Sequence, residues 1–218
     1  MSNQATQGPH QGQPVYSAGQ ALSEAKGAMV LLHGRGASAP SILELGQALY
    51  HPDLAYLAPQ ASRYTWYPYS FLAPLDRNEP GLSSGLQAIG DVMATIEAAG
   101  IPTERIILGG FSQGACLTSE FAARNPKRYG GLLIFSGGVI GPLGMARHYT
   151  GSLEGTPVFI GCSDVDFHIP APRVHESAQI LSQLGGNVNK KIYPKMGHTI
   201  IQDEINHALE IVKRAISV

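Results

Sequence analysis

Ser112 stands at the centre of Gly110-Phe111-Ser112-Gln113-Gly114, directly after the run Arg105-Ile106-Ile107-Leu108-Gly109 and before a stretch with helical spacing. A serine at the tip of a tight strand-to-helix turn has a strained backbone, and side chains two residues to either side would collide with the strand and the helix. Glycine at 110 and 114 removes that collision. The turn then holds the hydroxyl clear of the backbone at the positive end of a helix dipole, where a developing oxyanion is stabilised. A glycine-rich turn with a surface serine would share the pattern, so the partners of Ser112 decide.

A serine hydroxyl is a poor nucleophile at neutral pH; it needs a base within hydrogen-bond reach, and that base needs a third group to orient it. Of eight histidines, His198 alone combines a late position, a loop after a strand and an adjacent glycine, in Tyr193-Pro194-Lys195-Met196-Gly197-His198. His33 reads as a loop-shaping imidazole. His168 and His175 lie near the candidate acids without metal-ligand spacing, and His10, His51, His148 and His207 read as surface or tail residues, so no metal site is expected. The acid comes from Cys162-Ser163-Asp164-Val165-Asp166-Phe167-His168-Ile169-Pro170. Either Asp166 or Asp164 could serve, the latter also suiting a turn in which its carboxylate accepts local N–H groups. The tetrahedral intermediate needs preorganised donors. The N–H of Gln113 is one candidate, and the N–H of Arg35 in Leu32-His33-Gly34-Arg35-Gly36-Ala37-Ser38 is the other. Gly34 and Gly36 taken alone would equally suit a plain tight turn.

The elements that must position these residues alternate. Short apolar runs at 28–33, 54–58, 105–109, 131–136, 157–161 and 189–193 have strand length. Between them, 39–50, 83–99, 113–124, 172–184 and 202–216 have helical spacing. This is the signature of a mostly parallel sheet covered by helices, an α/β fold. Residues 1–20 read as a flexible segment in which 14–17 could add a short strand, and 21–218 as one domain. The one long irregular stretch, 59–82, is rich in aromatics and proline, and loops of that length are usually functional.

The 218 residues suffice for one core. With 15 basic and 16 acidic residues and no charged block, nothing points to nucleic acid or an anionic membrane, and a small, roughly neutral ligand is expected. No run approaches the roughly 18 apolar residues of a membrane span. The two cysteines, Cys116 and Cys162, lie in apolar stretches, and no basic segment leads into an apolar core at the N-terminus, so a reduced, cytoplasmic setting is expected.

With these residues assembled, the chain resembles the carboxylesterase, lysophospholipase and acyl-protein thioesterase family of small α/β hydrolases. The resemblance runs from about residue 28 to the C-terminus. It rests on Leu32-His33-Gly34-Arg35-Gly36, Gly110-Phe111-Ser112-Gln113-Gly114-Ala115, Asp166 before Ile169-Pro170, and Met196-Gly197-His198. Ala58-Pro59-Gln60, Thr65-Trp66-Tyr67-Pro68 and Asn78-Glu79-Pro80 resemble a bacterial subgroup labelled phospholipase/carboxylesterase. It implies an α/β-hydrolase fold with serine, acid and histidine in that order. Asp166 takes the acid position by its register to Ile169-Pro170, which resembles a D-x-x-V-P acid loop. It further implies a serine carboxylesterase that needs no cofactor and hydrolyses small to medium-chain esters through an acyl-enzyme. The same machinery would serve a lysophospholipase or acyl thioesterase, and a hydrolase-like chain that only binds a ligand is the alternative from another class. Relatives commonly place an aspartate soon after the aromatic pair, whereas Pro68-Tyr69-Ser70-Phe71-Leu72 follows here. The resemblance therefore carries acyl transfer to water further than it carries the leaving group.

Only the twenty residues 137–156 separate two predicted strands, too few for a helical cap, so a shallow site is expected. Its walls are expected to be Trp66 and Tyr67, with Tyr64 and Phe71 nearby, and Ile140, Leu143 and Met145 opposite. Packing of these aromatics onto the sheet is the competing reading. The resemblance also allows a homodimer paired through the apolar loop around Trp66 to Phe71.

Overall fold

The computed structural model describes residues 8–217. A single seven-stranded sheet organises the chain. Its strands are β1 (Val15–Gly19), β2 (Gly27–Leu32), β3 (Leu54–Pro59), β4 (Ile106–Phe111), β5 (Gly131–Phe135), β6 (Pro157–Ser163) and β7 (Asn187–Tyr193), in the spatial order β1-β3-β2-β4-β5-β6-β7. Every pair is parallel except β1 with β3. The interleaved helices are α1 (Ala39–Ala48), α2 (Gly81–Ala98), α3 (Gln113–Arg124), α4 (Ala171–Gln183) and α5 (Gln202–Ile216).

Strand periodicity divides the core in two. Along β2, Met29 and Leu31 face a cluster completed by Ile42 of α1 and Ala208 and Val212 of α5, while Val30 and Leu32 face a cluster built on α2, α3 and α4. A strand buried on both faces must be apolar throughout, and all six residues of β2 are buried. The chain runs from β2 outward to β3 and then returns to β4 on the other side. This creates a crevice at the carboxyl ends of β2 and β4, the usual ligand position in such sheets. The arrangement is the α/β-hydrolase fold. Residues 136–156, between β5 and β6, contain no helix and form no cap.

The N-terminal segment departs from expectation in part. Residues 1–7 lie outside the described part. The short strand that 14–17 could add is present as β1, pairing along β3 from Val15 opposite Pro59 to Gly19 opposite Ala55. Residues 8–13, expected to be flexible, are instead docked, with the His10 N–H on Ser84 Oγ and the Gln11 amide on the Ser84 carbonyl. His10, read from sequence as a tail residue, is buried. Its Nε2 donates to the carbonyl of Trp66 at 2.8 Å, and its Nδ1 accepts the N–H of Ser62 at 3.1 Å. Nothing in the spacing of residues 8–13 signals this, because the contacts are made to side chains and carbonyls more than fifty positions away. Among the described residues, no helix is long and apolar enough to cross a membrane.

One core group is at odds with its surroundings. Glu204, in the first turn of α5, is fully buried; one oxygen accepts the N–H of Ile201 at 3.0 Å and the other has no partner among the described residues. Burial raises its pKa to about 7. Because the folded-state value lies above the unfolded one, ionisation of Glu204 costs the fold nothing well below pH 4.5, where both states are protonated, and destabilises it increasingly as pH rises towards 7. Glu204→Gln keeps an acceptor for Ile201 without the charge. Its stability advantage over the parent should grow by on the order of 3 kcal/mol between about pH 5 and about pH 8, read from urea midpoints at both.

Candidate active site

The turn between β4 and α3 forces Ser112 to φ 55°, ψ −118°, a conformation that costs energy and is held by its surroundings. Its N–H bonds the carbonyl of Phe135 at 3.0 Å, and its carbonyl accepts the N–H of Cys116 at 3.0 Å. Glycine is obligatory on both sides. A Cβ on Gly114 would lie 2.0 Å from the carbonyl oxygen of Leu32, and one on Gly110 would lie 2.6 Å from the carbonyl carbon of Gly114. The first turn of α3 is thus pressed directly onto the end of β2.

His198 leaves the loop after β7, where Gly197 has φ 79° and its N–H bonds Ser163 Oγ at 3.2 Å. The imidazole Nε2 lies 2.9 Å from Ser112 Oγ, and Nδ1 lies 2.6 Å from Asp166 Oδ2. The other Asp166 oxygen accepts the N–H groups of His168 and Ile169 at 2.8 and 3.0 Å. Burial alone would push the Asp166 carboxyl up. The bonds from His198, Ile169 and His168 outweigh it and hold the group below the usual carboxylate range. A carboxylate that can only accept makes Nδ1 the protonated nitrogen and leaves Nε2 free to accept from Ser112. Asp164, the rival acid, accepts the N–H of Lys195 at 2.8 Å and so ties the acid loop to the loop that carries His198.

The loop after β2 passes beside Ser112: a Cβ on Gly34 would sit 3.4 Å from that of Ser112. His33, fully buried, fixes this loop. Its Nε2 accepts the N–H of Ala61 at 3.1 Å, so the proton is on Nδ1, which donates to the carbonyl of Gly34 at 2.8 Å. Burial also lowers its pKa, keeping the ring neutral. In a trans peptide the N–H points opposite to the carbonyl, so anchoring the Gly34 carbonyl on His33 turns the Arg35 N–H the other way. The Gln113 N–H, at the start of α3, has no partner within its helix. The Gln113 side chain does a second job, accepting the N–H of Trp66 at 2.9 Å and donating to the carbonyl of Tyr67 at 2.8 Å.

A cavity of about 460 Å³ opens over Ser112 and His198. Tyr67, Pro68, Tyr69 and Phe71 of the long loop line it, with His168 and Ile169 of the acid loop. Of the expected walls, Tyr67 and Phe71 are therefore in place. Tyr64, Trp66, Ile140, Leu143 and Met145 do not line the cavity. Trp66 is fully buried between the rings of His10 and His33, and its Nε1–H donates to the carbonyl of His33 at 2.9 Å. Ile140 is buried, with its N–H on the carboxylate of Glu120 at 2.8 Å, while Leu143 points to solvent. In the loop on which the expected pairing of two copies rested, Trp66, Tyr67 and Phe71 are buried, while Pro68 and Tyr69 are exposed. Sequence reasoning missed Phe111, Cys116 and His168, which also line the cavity. Their signal was proximity: Phe111 precedes Ser112, Cys116 follows it by one helical turn, and His168 lies two residues beyond Asp166. The His168 ring packs edge-on against His198 with centroids 4.8 Å apart.

The model of one protein family, described as phospholipase/carboxylesterase, matches residues 18–216. The chain belongs to the phospholipase/carboxylesterase family. This family member superposes on a phospholipase/carboxylesterase from Dyadobacter fermentans with a TM-score of 0.89 and 44% identity, covering 92% of this chain and 96% of that one. It is 30% identical to acyl-protein thioesterase 1 of Saccharomyces cerevisiae over 63% of this chain, and 29% identical to a probable carboxylesterase, SOBER1-like, of Arabidopsis thaliana over 85%. The match spans 61% of the yeast thioesterase and 57% of a thioesterase from Eremothecium gossypii.

In this phospholipase/carboxylesterase chain, two substitutions separate scaffold from site. Gly114→Ala drives a methyl group into backbone and should destabilise the fold by about 3 kcal/mol or more, seen as a large drop in thermal midpoint. Trp66→Phe keeps the apolar bulk but leaves the buried carbonyl of His33 unpaired. It should cost about 1–3 kcal/mol in urea unfolding.

Proposed function

We propose that the chain is a serine carboxylesterase acting on small to medium-chain carboxylic esters through an acyl-enzyme. The observation that carries this reading is the unbroken chain of hydrogen bonds from Asp166 through His198 to Ser112 Oγ, set at the floor of an open cavity. His198 Nε2 takes the proton of Ser112 as Oγ attacks the ester carbonyl carbon. The negative oxygen is met by the N–H groups of Arg35 and Gln113, and Asp166 stabilises the imidazolium that forms. His198 then returns the proton to the departing alcohol, and water repeats the sequence to release the acid. Residues of the chain itself perform every step, and the partner is a small ester. Two buried free cysteines support a cytoplasmic setting.

A thioester substrate is the second reading, favoured by the names of the yeast and Eremothecium relatives. Against it stands Pro68-Tyr69-Ser70-Phe71, where the family resemblance implies an aspartate and this chain has none.

Hydrolysis of p-nitrophenyl esters from acetyl to dodecanoyl tests the proposal, with matched acyl thioesters beside them. Activity should peak at short chains and fall by at least about a thousandfold in Ser112→Ala and in His198→Ala. Wild-type turnover in Ser112→Ala would overturn it, and a preference for thioesters would select the second reading. Asp166→Asn should lower kcat by roughly 10⁴-fold while its thermal midpoint stays near that of the parent.

A further inference from the structure

Arg35 brings a fixed positive charge to the cavity, and among the described residues no aspartate or glutamate lines it. The nearest acid of the machinery, Asp166, is turned away from the cavity behind His198, with both oxygens occupied.

Arg35 is tied at three points. One terminal nitrogen, Nη1, donates to Thr65 Oγ1 at 3.2 Å and to the carbonyl of Pro68 at 2.9 Å; Nη2 donates to the carbonyl of Tyr69 at 2.7 Å. All three acceptors are uncharged, and among the described residues no carboxylate pairs with Arg35. A guanidinium has five N–H groups, so Nε–H and one Nη2–H remain open on an exposed side chain. Arg124, Arg147 and Arg173, by contrast, each lie within ion-pair distance of a glutamate. A preorganised guanidinium with open donors is suited to a carboxylate, whose two oxygens match its fork. Its position sets the scale: the Arg35 N–H is the candidate oxyanion donor, so the charge lies one arginine side chain from the reacting carbonyl.

We propose that the natural substrate is an ester that carries a carboxylate a short linker away from the scissile bond, gripped by the Arg35 guanidinium. This rests on the esterase reading above. The carboxylate belongs either to the acyl part, as in a half-ester of a short dicarboxylic acid, or to the alcohol part, as in an acylated hydroxy acid. A substrate with a cationic group is disfavoured by the same field.

The experiment compares kcat/KM for p-nitrophenyl hydrogen glutarate with that for its neutral methyl ester, and kcat/KM for O-acetylglycolate with that for its methyl ester. The first pair places the charge on the acyl side and the second on the alcohol side. The charged member of at least one pair should be preferred by about tenfold or more. In Arg35→Met that ratio should fall to near one, and in Arg35→Lys, which keeps the charge without the fork, it should lie between. Equal turnover of charged and neutral members in both pairs overturns the proposal. So does an Arg35→Met protein in which both members decline together, because the guanidinium would then serve only as a tie for residues 65–69. Loss of neutral-ester hydrolysis in Ser112→Ala checks the esterase reading separately, so either can fail while the other stands.

Discussion

Much of this site follows from one close approach, that of the first turn of α3 to the end of β2. With Gly114 against the Leu32 carbonyl there is room for hydrogen and nothing else. That contact fixes where α3 starts, and so where Ser112 sits at its tip. It also brings the loop after β2 alongside the nucleophile, so that residues from two different strand ends can act on one reacting atom. The strained dihedrals of Ser112 are the energetic counterpart of this crowding, offset by packing on both faces of the sheet.

Around that contact lies a second layer, centred on Trp66. Its ring, its N–H and its carbonyl engage His33, Gln113 and His10, joining the oxyanion loop, the elbow helix and the N-terminal segment. The aromatic stretch therefore has two jobs divided along its length. Trp66 faces inward and fixes the loop, while the chain just beyond it forms the cavity wall. Gln113 belongs to both layers, since its backbone starts α3 and its side chain holds residues 65–67. Two neutral buried histidines complete this layer, each fixed in one tautomer by a backbone N–H that it accepts.

The sequence made the frame readable because the frame is local. Each predicted helix and interior strand appears within a few residues, since apolar periodicity records burial directly. Ser112, Asp166 and His198 were legible because each follows a strand and is marked by glycine or proline punctuation. The division of labour between Trp66 and Tyr67 was not legible. Neighbouring aromatics in a loop have no periodicity to say which one turns inward, and the decision comes from partners as remote as His10. The docking of residues 8–14 was hidden for the same reason. Ile140 was assigned to the wall from its place in the chain, but Glu120, a buried carboxylate on α3, draws its backbone into a polar network instead.

Among the described residues, the open sheet leaves two strands with one unpaired side, β1 and β7. At the β7 end the exposed residues are Asn187, Asn189, Lys190 and Lys191, a polar and doubly positive border on an otherwise apolar sheet. An ammonium group carried against the edge of a second molecule would lose its hydration without gaining a partner, so strand-to-strand growth is opposed at this side. The carboxyl end of the same strand delivers His198. One short segment thus carries the base at its tip and, along its length, protects the chain against templated aggregation.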